Sequence, residues 1–226
     1  MKYILTDVEG TTTSISFVHE TLFPFAKERL KSFVAENLNN NDVQEILKQT
    51  KATAKAETQK DISDDEATDL LLHWIKTDRK HPALKDLQGL IWEGGYVSGQ
   101  IKGHIYKDVP VALKAWKEAG LTLGVYSSGS VKAQHLIFEF STEGNLRPYF
   151  SNHFDTAVGH KREVASYSNI SNILKVEPSE ILFLSDIKEE LDAAREAGMQ
   201  TIQLVRQNDV VIGDHKTARD FNEIKF

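Results

Sequence analysis

The sequence predicts an α/β fold: a Rossmann-like parallel sheet with helices on both faces, into which a helical block is inserted after the first strand. Short apolar strands alternate with helices over residues 104–205, an order that is typical of parallel sheets. Residues 17–103 instead carry their apolar side chains at helical spacing. We therefore expect an α/β core of residues 1–16 and 104–226 and a helical domain of residues 17–103.

The core begins with a strand at residues 2–6, which is rich in β-forming side chains and leads directly into Asp7. After the insertion, Asp108 is expected to cap a helix that has Pro110 in its first turn and ends at Gly120. The remaining core elements are predicted as a strand at 121–126, a helix at 131–139, a strand at 154–157, a helix at 162–175, a strand at 181–184, a helix at 188–197 and a strand at 201–205.

The helical block is expected to contain four helices, near residues 20–37, 41–57, 63–77 and 83–93. Ser63 and Glu66 fit a capping box at the start of the third helix, and Asn41 with Gln44 fit a weaker one at the start of the second. Four glycines between residues 94 and 103 then interrupt the helical pattern, which places the domain boundary near Gly103.

Composition excludes several classes of protein. The 226 residues contain no cysteine, which excludes disulfides, thiolate metal sites and cysteine nucleophiles. A net charge of −6 without a strongly basic block argues against nucleic-acid binding. The longest apolar run, Ile181–Leu184, is too short to span a bilayer. We expect a soluble, cytoplasmic protein, nuclear as well if the source is eukaryotic, that acts as a monomer and binds neither nucleic acid nor membrane.

Polar side chains follow the predicted strands where those strands end. In parallel α/β sheets ligands bind at the carboxyl ends of the strands, so side chains at these positions are the first candidates for a site. They are an acid pair after the first strand, a serine pair after the second and one acid after the fourth: Asp7, Glu9, Ser127, Ser128 and Asp186. Lys161 follows the short third strand, just before a helix.

Phosphoryl transfer explains why three acids occur together. Clustered carboxylates repel one another unless a cation lies between them, and Mg²⁺ commonly binds one or two carboxylates together with a substrate phosphate. We therefore predict that Asp7, Glu9 and Asp186 hold Mg²⁺. Asp7 is the predicted nucleophile, which forms an aspartyl-phosphate that water then cleaves.

The remaining residues of the set are suited to bind the phosphate. Ser127 provides a hydroxyl donor, and the backbone N–H groups of Ser128 and Gly129 lie at a predicted helix N-terminus, which attracts anions. Lys161 is predicted to place a positive charge against the transferring oxygens. Thr11 provides a further hydroxyl after the nucleophile.

Each of these residues also has an ordinary structural interpretation. An acid after a strand is commonly a turn residue or a helix cap, and Lys161 alone is compatible with a surface lysine. Their order along the chain, with each residue at the matching end of a successive element, favours a catalytic site. The sequence contains no P-loop, no dinucleotide fingerprint and no G-x-S-x-G elbow, which argues against other common α/β enzymes.

Five segments resemble the motifs of the haloacid dehalogenase superfamily and, within it, those of the enolase-phosphatases of methionine salvage. They are DVEGTTT at residues 7–13, YSSGS at 126–130, STEGNL at 141–146, FDTAVGHK at 154–161 and FLSD at 183–186. The superfamily generally has a second aspartate two residues after the nucleophile, and Glu9 in its place is the pattern of this branch.

The resemblance implies a bifunctional, Mg²⁺-dependent phosphoric monoester hydrolase, an acireductone synthase. Such an enzyme enolises 2,3-diketo-5-methylthiopentyl-1-phosphate and then dephosphorylates it to 1,2-dihydroxy-3-keto-5-methylthiopentene. The resemblance further implies that the Glu9 side chain serves as acid and base, and that either its carboxylate or its backbone carbonyl contacts the metal. The helical domain would be a cap that closes over the substrate and excludes water during enolisation.

Three other functions compete with this interpretation. One of them, a binding protein without catalytic activity, is disfavoured by the intact set of Asp7, Ser127, Lys161 and Asp186. A phosphatase of the same superfamily with another small substrate would share the core residues, since the cap sets the choice of substrate. A receiver-like signalling domain also arranges acids, a hydroxyl and a lysine around Mg²⁺. It carries its acceptor aspartate on a later strand, however, and has no helical insertion after the first.

Overall fold

The computed structural model describes residues 1–77 and 79–225, which divide into two compact units. Met1–Ile15 and Lys102–Phe226 form the α/β unit, and Ser16–Ile101 form the helical unit. The boundaries expected from the sequence, after residues 16 and 103, lie one and two residues from these. No helix in the described ranges is long and apolar enough to cross a membrane.

The described part of the α/β unit contains a parallel sheet of six strands in the order β3-β2-β1-β4-β5-β6, as the sequence predicted for the fold class. The strands are β1 Tyr3–Thr6, β2 Thr122–Tyr126, β3 Asn152–Phe154, β4 Ile181–Ser185, β5 Gln200–Leu204 and β6 Lys216–Ala218. The helices of this unit are α6 Asp108–Glu118, α7 Val131–Glu139, α8 Val164–Leu174 and α9 Lys188–Glu196.

Apolar side chains cover both faces of the sheet. Along β1, Tyr3 and Leu5 point to one face of the sheet and Ile4 points to the other, yet all three side chains are buried. Tyr3 and Leu5 belong to an apolar cluster that includes Phe183 of β4 and Tyr167 of α8. This burial on both faces explains why the central strands are continuous apolar runs in the sequence.

The register of the sheet brings three distant segments to one edge. Thr6, the last residue of β1, pairs with Val125 of β2 and with Leu184 of β4. The backbone N–H of Asp7 then donates to the Leu184 carbonyl at 2.8 Å. Consequently Asp7 and the residues that follow β2 and β4 meet at the carboxyl edge of the sheet.

The described part of the helical unit contains four long helices and a π-helical turn, which follow a short helix at its start. Their bounds are a short α1 Ile15–Phe17, a π-helix at Val18–Leu22, α2 Phe23–Glu36, α3 Asn41–Thr58, α4 Asp64–Lys76 and α5 Pro82–Val97. The capping box predicted for Ser63 and Glu66 is present at the start of α4. The buried indole N–H of Trp92 donates to the Leu22 carbonyl at 2.8 Å and so ties α5 to the π-helix.

Local predictions failed where a competing hydrogen bond was available. Asn40, rather than Asn41, caps α3 by accepting from the N–H of Asp42 at 2.8 Å. Asp108 does not cap α6, because its carboxylate pairs with a distant arginine. The third strand ends at Phe154 instead of beginning there, because the Asp155 carboxylate accepts from the N–H of Ala157 and closes a turn. The polar strand β6 was not predicted at all.

Candidate active site

Asp7 lies at the centre of the carboxyl edge and is only 3% exposed. Its Oδ1 is 2.5 Å from Nζ of Lys161, a side chain that the sequence placed after the third strand. The backbone carbonyl of Lys161 accepts a hydrogen bond from the Tyr167 hydroxyl at 2.7 Å, which fixes the backbone from which the lysine side chain extends. The structure therefore brings the predicted nucleophile and the predicted cation into direct contact.

Glu190 completes this ion pair, and the sequence analysis missed it. Its Oε2 lies 2.6 Å from Nζ of Lys161 and accepts from the Ser185 hydroxyl at 2.9 Å. Glu190 belongs to α9, which otherwise resembles an exposed amphipathic helix in sequence. The available signal was its place four residues after Asp186, the acid at the end of β4.

The charges of this trio depend on one another. Burial alone would lower the pKa of Lys161, but the adjacent carboxylates of Asp7 and Glu190 outweigh burial and raise that pKa above its ordinary value. Burial, followed by the charge of Asp7, raises the pKa of Glu190 to about 7 even though Lys161 opposes the shift. Lys161 is therefore a fixed positive charge shared by two buried acids.

Glu9 lies on the side of the site next to β2. Its Oε2 accepts from the Ser127 hydroxyl at 2.9 Å, and Ser127 Oγ in turn accepts from the Gly129 N–H at 2.9 Å. Burial, together with the negative charge of Asp7, raises the pKa of Glu9 above its ordinary value.

The predicted anion-binding segment thus contacts Glu9 directly. Ser127 is completely buried, and both its hydroxyl and the Gly129 N–H are engaged in the chain that ends at Glu9. Ser130, which follows Ser128 and Gly129, caps α7 by accepting from the Ala133 N–H at 3.2 Å. The helix α7 therefore begins directly after the segment that contains Ser127 and Ser128, as the sequence predicted.

Asp186 lies on the opposite side, next to the turn that follows β1. A Cβ atom at Gly10 would come within 2.2 Å of Asp186 Oδ2, and Gly10 has a φ of +75°, so only glycine is accommodated there. The Thr11 hydroxyl donates to Asp186 Oδ1 at 3.5 Å. Burial and the charge of Asp7 raise the pKa of Asp186 to about 7.

The negative charge of these acids suits a divalent cation. Their side chains, however, are not grouped as the predicted ligand set of Asp7, Glu9 and Asp186. Over residues 1–77 and 79–225, no three His, Cys, Asp or Glu side chains are grouped so that they could hold a metal ion. The physical reason is that the Glu9 carboxylate is turned to the Ser127 hydroxyl. Asp7 and Asp186 remain as mutually repelling acids, and a hard cation with oxygen ligands would offset that repulsion.

Comparisons with known proteins show the family and the fold of the chain. Residues 1–198 match the haloacid dehalogenase-like hydrolase family. Enolase-phosphatase E1 of Pseudomonas fluorescens is 49% identical over 225 residues, which cover 100% of this chain and 97% of that protein. Enolase-phosphatase E1 of Drosophila yakuba is 46% identical, with 96% of this chain and 88% of that protein covered. The structure is also similar to that of the Unknown transcript 4 protein of Saccharomyces cerevisiae, with a TM-score of 0.82, 34% identity and 99% of each chain covered.

Proposed function

The chain belongs to the enolase-phosphatase family of the haloacid dehalogenase-like hydrolases, and on that premise we propose that it converts 2,3-diketo-5-methylthiopentyl-1-phosphate to 1,2-dihydroxy-3-keto-5-methylthiopentene and phosphate in methionine salvage. The observation that carries the proposal is the buried Asp7 carboxylate in contact with Lys161 and beside Glu9. A carboxylate held against a fixed cation at a sheet edge is suited to attack the phosphorus of a phosphate ester.

In the phosphatase step, an Asp7 oxygen forms a bond to phosphorus while the bond from phosphorus to the substrate oxygen breaks. The raised pKa of Glu9 lets its carboxyl carry the proton that the leaving oxygen needs. Glu9 then takes a proton from the water that cleaves the aspartyl-phosphate and releases phosphate. Lys161 keeps its charge throughout and stabilises the negative charge that develops around Asp7.

Enolisation requires a base that removes a proton from a carbon next to a carbonyl group. Glu9 is the proposed base, because its carboxyl group accepts from the neutral Ser127 hydroxyl instead of pairing with Lys161, and because, unlike Asp186, it is not proposed to hold Mg²⁺ through its side chain. The Ser127 contact also fixes the direction of the carboxyl group, so that the same group serves both steps.

The acids of this edge are proposed to hold Mg²⁺ through the side chains of Asp7 and Asp186 and the backbone carbonyl of Glu9. When bound, Mg²⁺ supplies positive charge against the phosphate and enolate oxygens. Ser127, Ser128, Gly129 and Lys161 are proposed to bind the phosphate group. When phosphate binds, the Ser127 hydroxyl and the Gly129 N–H would turn to it from the partners they have in this structure, the Glu9 carboxyl group and Ser127 Oγ. We also propose that the helical unit serves as the cap that selects the substrate.

The experiment that tests the function supplies the diketo phosphate with Mg²⁺ and follows enediol absorbance and free phosphate in the same sample. We expect both signals, with phosphate release that stops when Mg²⁺ is removed with a chelator. Phosphate release from generic esters, without any enediol from the diketo substrate, would instead identify a phosphatase for another small metabolite.

A further inference from the structure

Gln203 lies at the end of β5, in register with Ser185 of β4, and is completely buried. The side-chain amide makes three hydrogen bonds. Its Nε2 donates to the Asp186 carbonyl at 2.9 Å and to the Val211 carbonyl at 2.8 Å, and its Oε1 accepts from the Gly213 N–H at 2.8 Å. One amide therefore joins the backbone of Asp186 to the segment that follows β5.

These contacts leave the amide with a single orientation. A glutamine amide has two N–H donors, and both are used here, so rotation by 180° would place oxygen against two carbonyl oxygens. Buried polar groups that lose their partners cost free energy, so this orientation is strongly held. A leucine at position 203 would fill similar space but would donate to neither carbonyl.

The position of the Asp186 backbone matters because the contacts described for its carboxylate come from the turn after β1. Its carboxylate lies against the Gly10 backbone and accepts a long hydrogen bond of 3.5 Å from Thr11. The carbonyl contact from Gln203 approaches from β5, the strand on the other side of β4 from β1. Gln203 is thus a β5 side chain that contacts the Asp186 backbone where the chain leaves the sheet.

We infer that Gln203 is a positioning residue that fixes Asp186 in the orientation needed to bind Mg²⁺, although it contacts neither the metal nor the substrate. This inference rests on the proposed function, which places Mg²⁺ at Asp186. Residues that orient metal ligands from outside typically contribute a factor of about 10–100 to metal affinity.

The test is a calorimetric titration of the whole chain with Mg²⁺, comparing Gln203→Leu with the unsubstituted protein. We expect the dissociation constant for Mg²⁺ to rise on the order of 10-fold or more. The turnover of the variant should fall at low Mg²⁺ and recover when Mg²⁺ is saturating, a response that a purely structural defect would not give. Gln200→Leu is the matched control, since Gln200 lies on the same strand and donates to the Ser179 carbonyl at 2.8 Å, in a turn that precedes β4.

Mg²⁺ affinity that stays within about twofold of the original in folded Gln203→Leu would overturn the inference and leave the proposed function intact. If Gln203→Leu does not fold, Gln203→Glu tests the inference instead. The added negative charge would by itself strengthen Mg²⁺ binding, whereas loss of the amide donor should weaken it. Weaker binding in that variant supports positioning by the lost donor, and equal or tighter binding overturns it. An unsubstituted protein that does not bind Mg²⁺ would overturn both this inference and the proposed metal site.

Discussion

Lys161 holds two buried acids together, and its role is larger than the anion contact expected from its sequence position. Its Nζ lies 2.5 Å from Asp7 and 2.6 Å from Glu190, and its side chain is 4% exposed. Two carboxylates that lack this cation would repel each other in a medium that hydrates them poorly. Lys161 is therefore expected to stabilise the fold as well as the reaction.

Replacing Lys161 with methionine should lower both activity and stability at neutral pH. We expect the rate of phosphate release to fall on the order of 10²-fold or more, because the charge beside Asp7 is lost. The free energy of unfolding should fall by roughly 3–5 kcal/mol, because Asp7 and Glu190 then lack a cation. Urea unfolding and a phosphate assay measure the two effects.

The double variant Lys161→Met/Glu190→Gln separates the two roles. Removing one of the two uncompensated acids should recover much of the lost stability without recovering activity. Glu189→Gln, an exposed neighbour on α9, is the control for the glutamate substitution and should leave both quantities unchanged. A double variant that regains activity would show that the Lys161 charge is dispensable for the reaction.

At the scale of elements, the segment after β5 stabilises the turn that follows the nucleophile. The side chain of Arg206 is 6% exposed and forms a two-pronged pair with Asp108 of α6, at 2.8 Å for each bond. Its Nε donates to the Thr11 carbonyl at 3.1 Å, and its guanidinium lies 4.3 Å above the Tyr106 ring. The Asp108 carboxylate also accepts from the N–H of Phe221, so these contacts connect α6, the β1 turn and the C-terminal segment.

Arg206→Lys should weaken these connections while keeping the charge. A lysine cannot reproduce the planar fork, so a bond to Asp108 and the bond to Thr11 are lost. We expect the free energy of unfolding to fall by roughly 1–3 kcal/mol in urea titrations. Arg219→Lys, at an exposed position, should leave it within experimental error. An Arg206→Lys variant as stable as the original would show that the fork geometry contributes nothing.

Helices, strands and caps that depend on neighbouring residues could be predicted from the sequence. Side-chain contacts between residues far apart in the sequence could not. The capping box of Ser63 and the apolar strand of residues 181–185 depend on neighbours in sequence, so the pattern suffices. The partners of Asp108 lie 98 and 113 residues away, and no local pattern indicates that its carboxylate is taken by them instead of by a helix N-terminus. Glu190 was missed for the same reason: its partner Lys161 precedes a different helix.

Across the whole α/β unit, the sheet register collects the site from three distant parts of the chain. Asp7, Ser127 and Asp186 follow β1, β2 and β4, which pair side by side. Their order in sequence was enough to predict that they share an edge, because parallel strands end at the same edge. The direction of each side chain was not predictable: the sequence left open whether the carboxylate or the backbone carbonyl of Glu9 contacts the metal, and the structure turns that carboxylate to Ser127.

The stability of the α/β unit should depend on pH through His153. Burial, followed by the charges of His135 and Arg147, lowers the pKa of His153 from 6.5 to about 4. Its Nδ1 lies 3.1 Å from Oε1 of Gln134, whose Nε2 donates to the Gly129 and Phe154 carbonyls, so Nδ1 is the donor in this contact. Either form of the imidazole can make this hydrogen bond, so it is burial and the neighbouring positive charges that favour the neutral form in the folded chain.

Between about pH 6.5 and pH 4 the unfolded chain binds this proton and the folded chain does not, so the contribution of His153 to stability falls as the pH falls through this window. Glu190 and Asp186, whose pKa values are raised to about 7, contribute in the opposite direction. For one proton the slope cannot exceed about 1.4 kcal/mol per pH unit. His153→Gln should remove this contribution, so that the stability of the variant relative to the original rises as the pH falls from about 6.5 to about 4 in urea unfolding. His73→Gln, at an exposed position of α4, should not change the slope. Equal slopes in all three proteins would contradict the assignment.

Asp7 as the site of phosphoryl transfer is tested most directly by trapping the covalent intermediate. The protein is mixed with the diketo phosphate and Mg²⁺, quenched in acid during turnover and treated with borohydride, which reduces an acyl phosphate to an alcohol. Peptide mass spectrometry should then find homoserine at position 7, and only when substrate is present. Active protein in which position 7 remains aspartate under these conditions, or in which another residue is reduced, would contradict the proposed nucleophile.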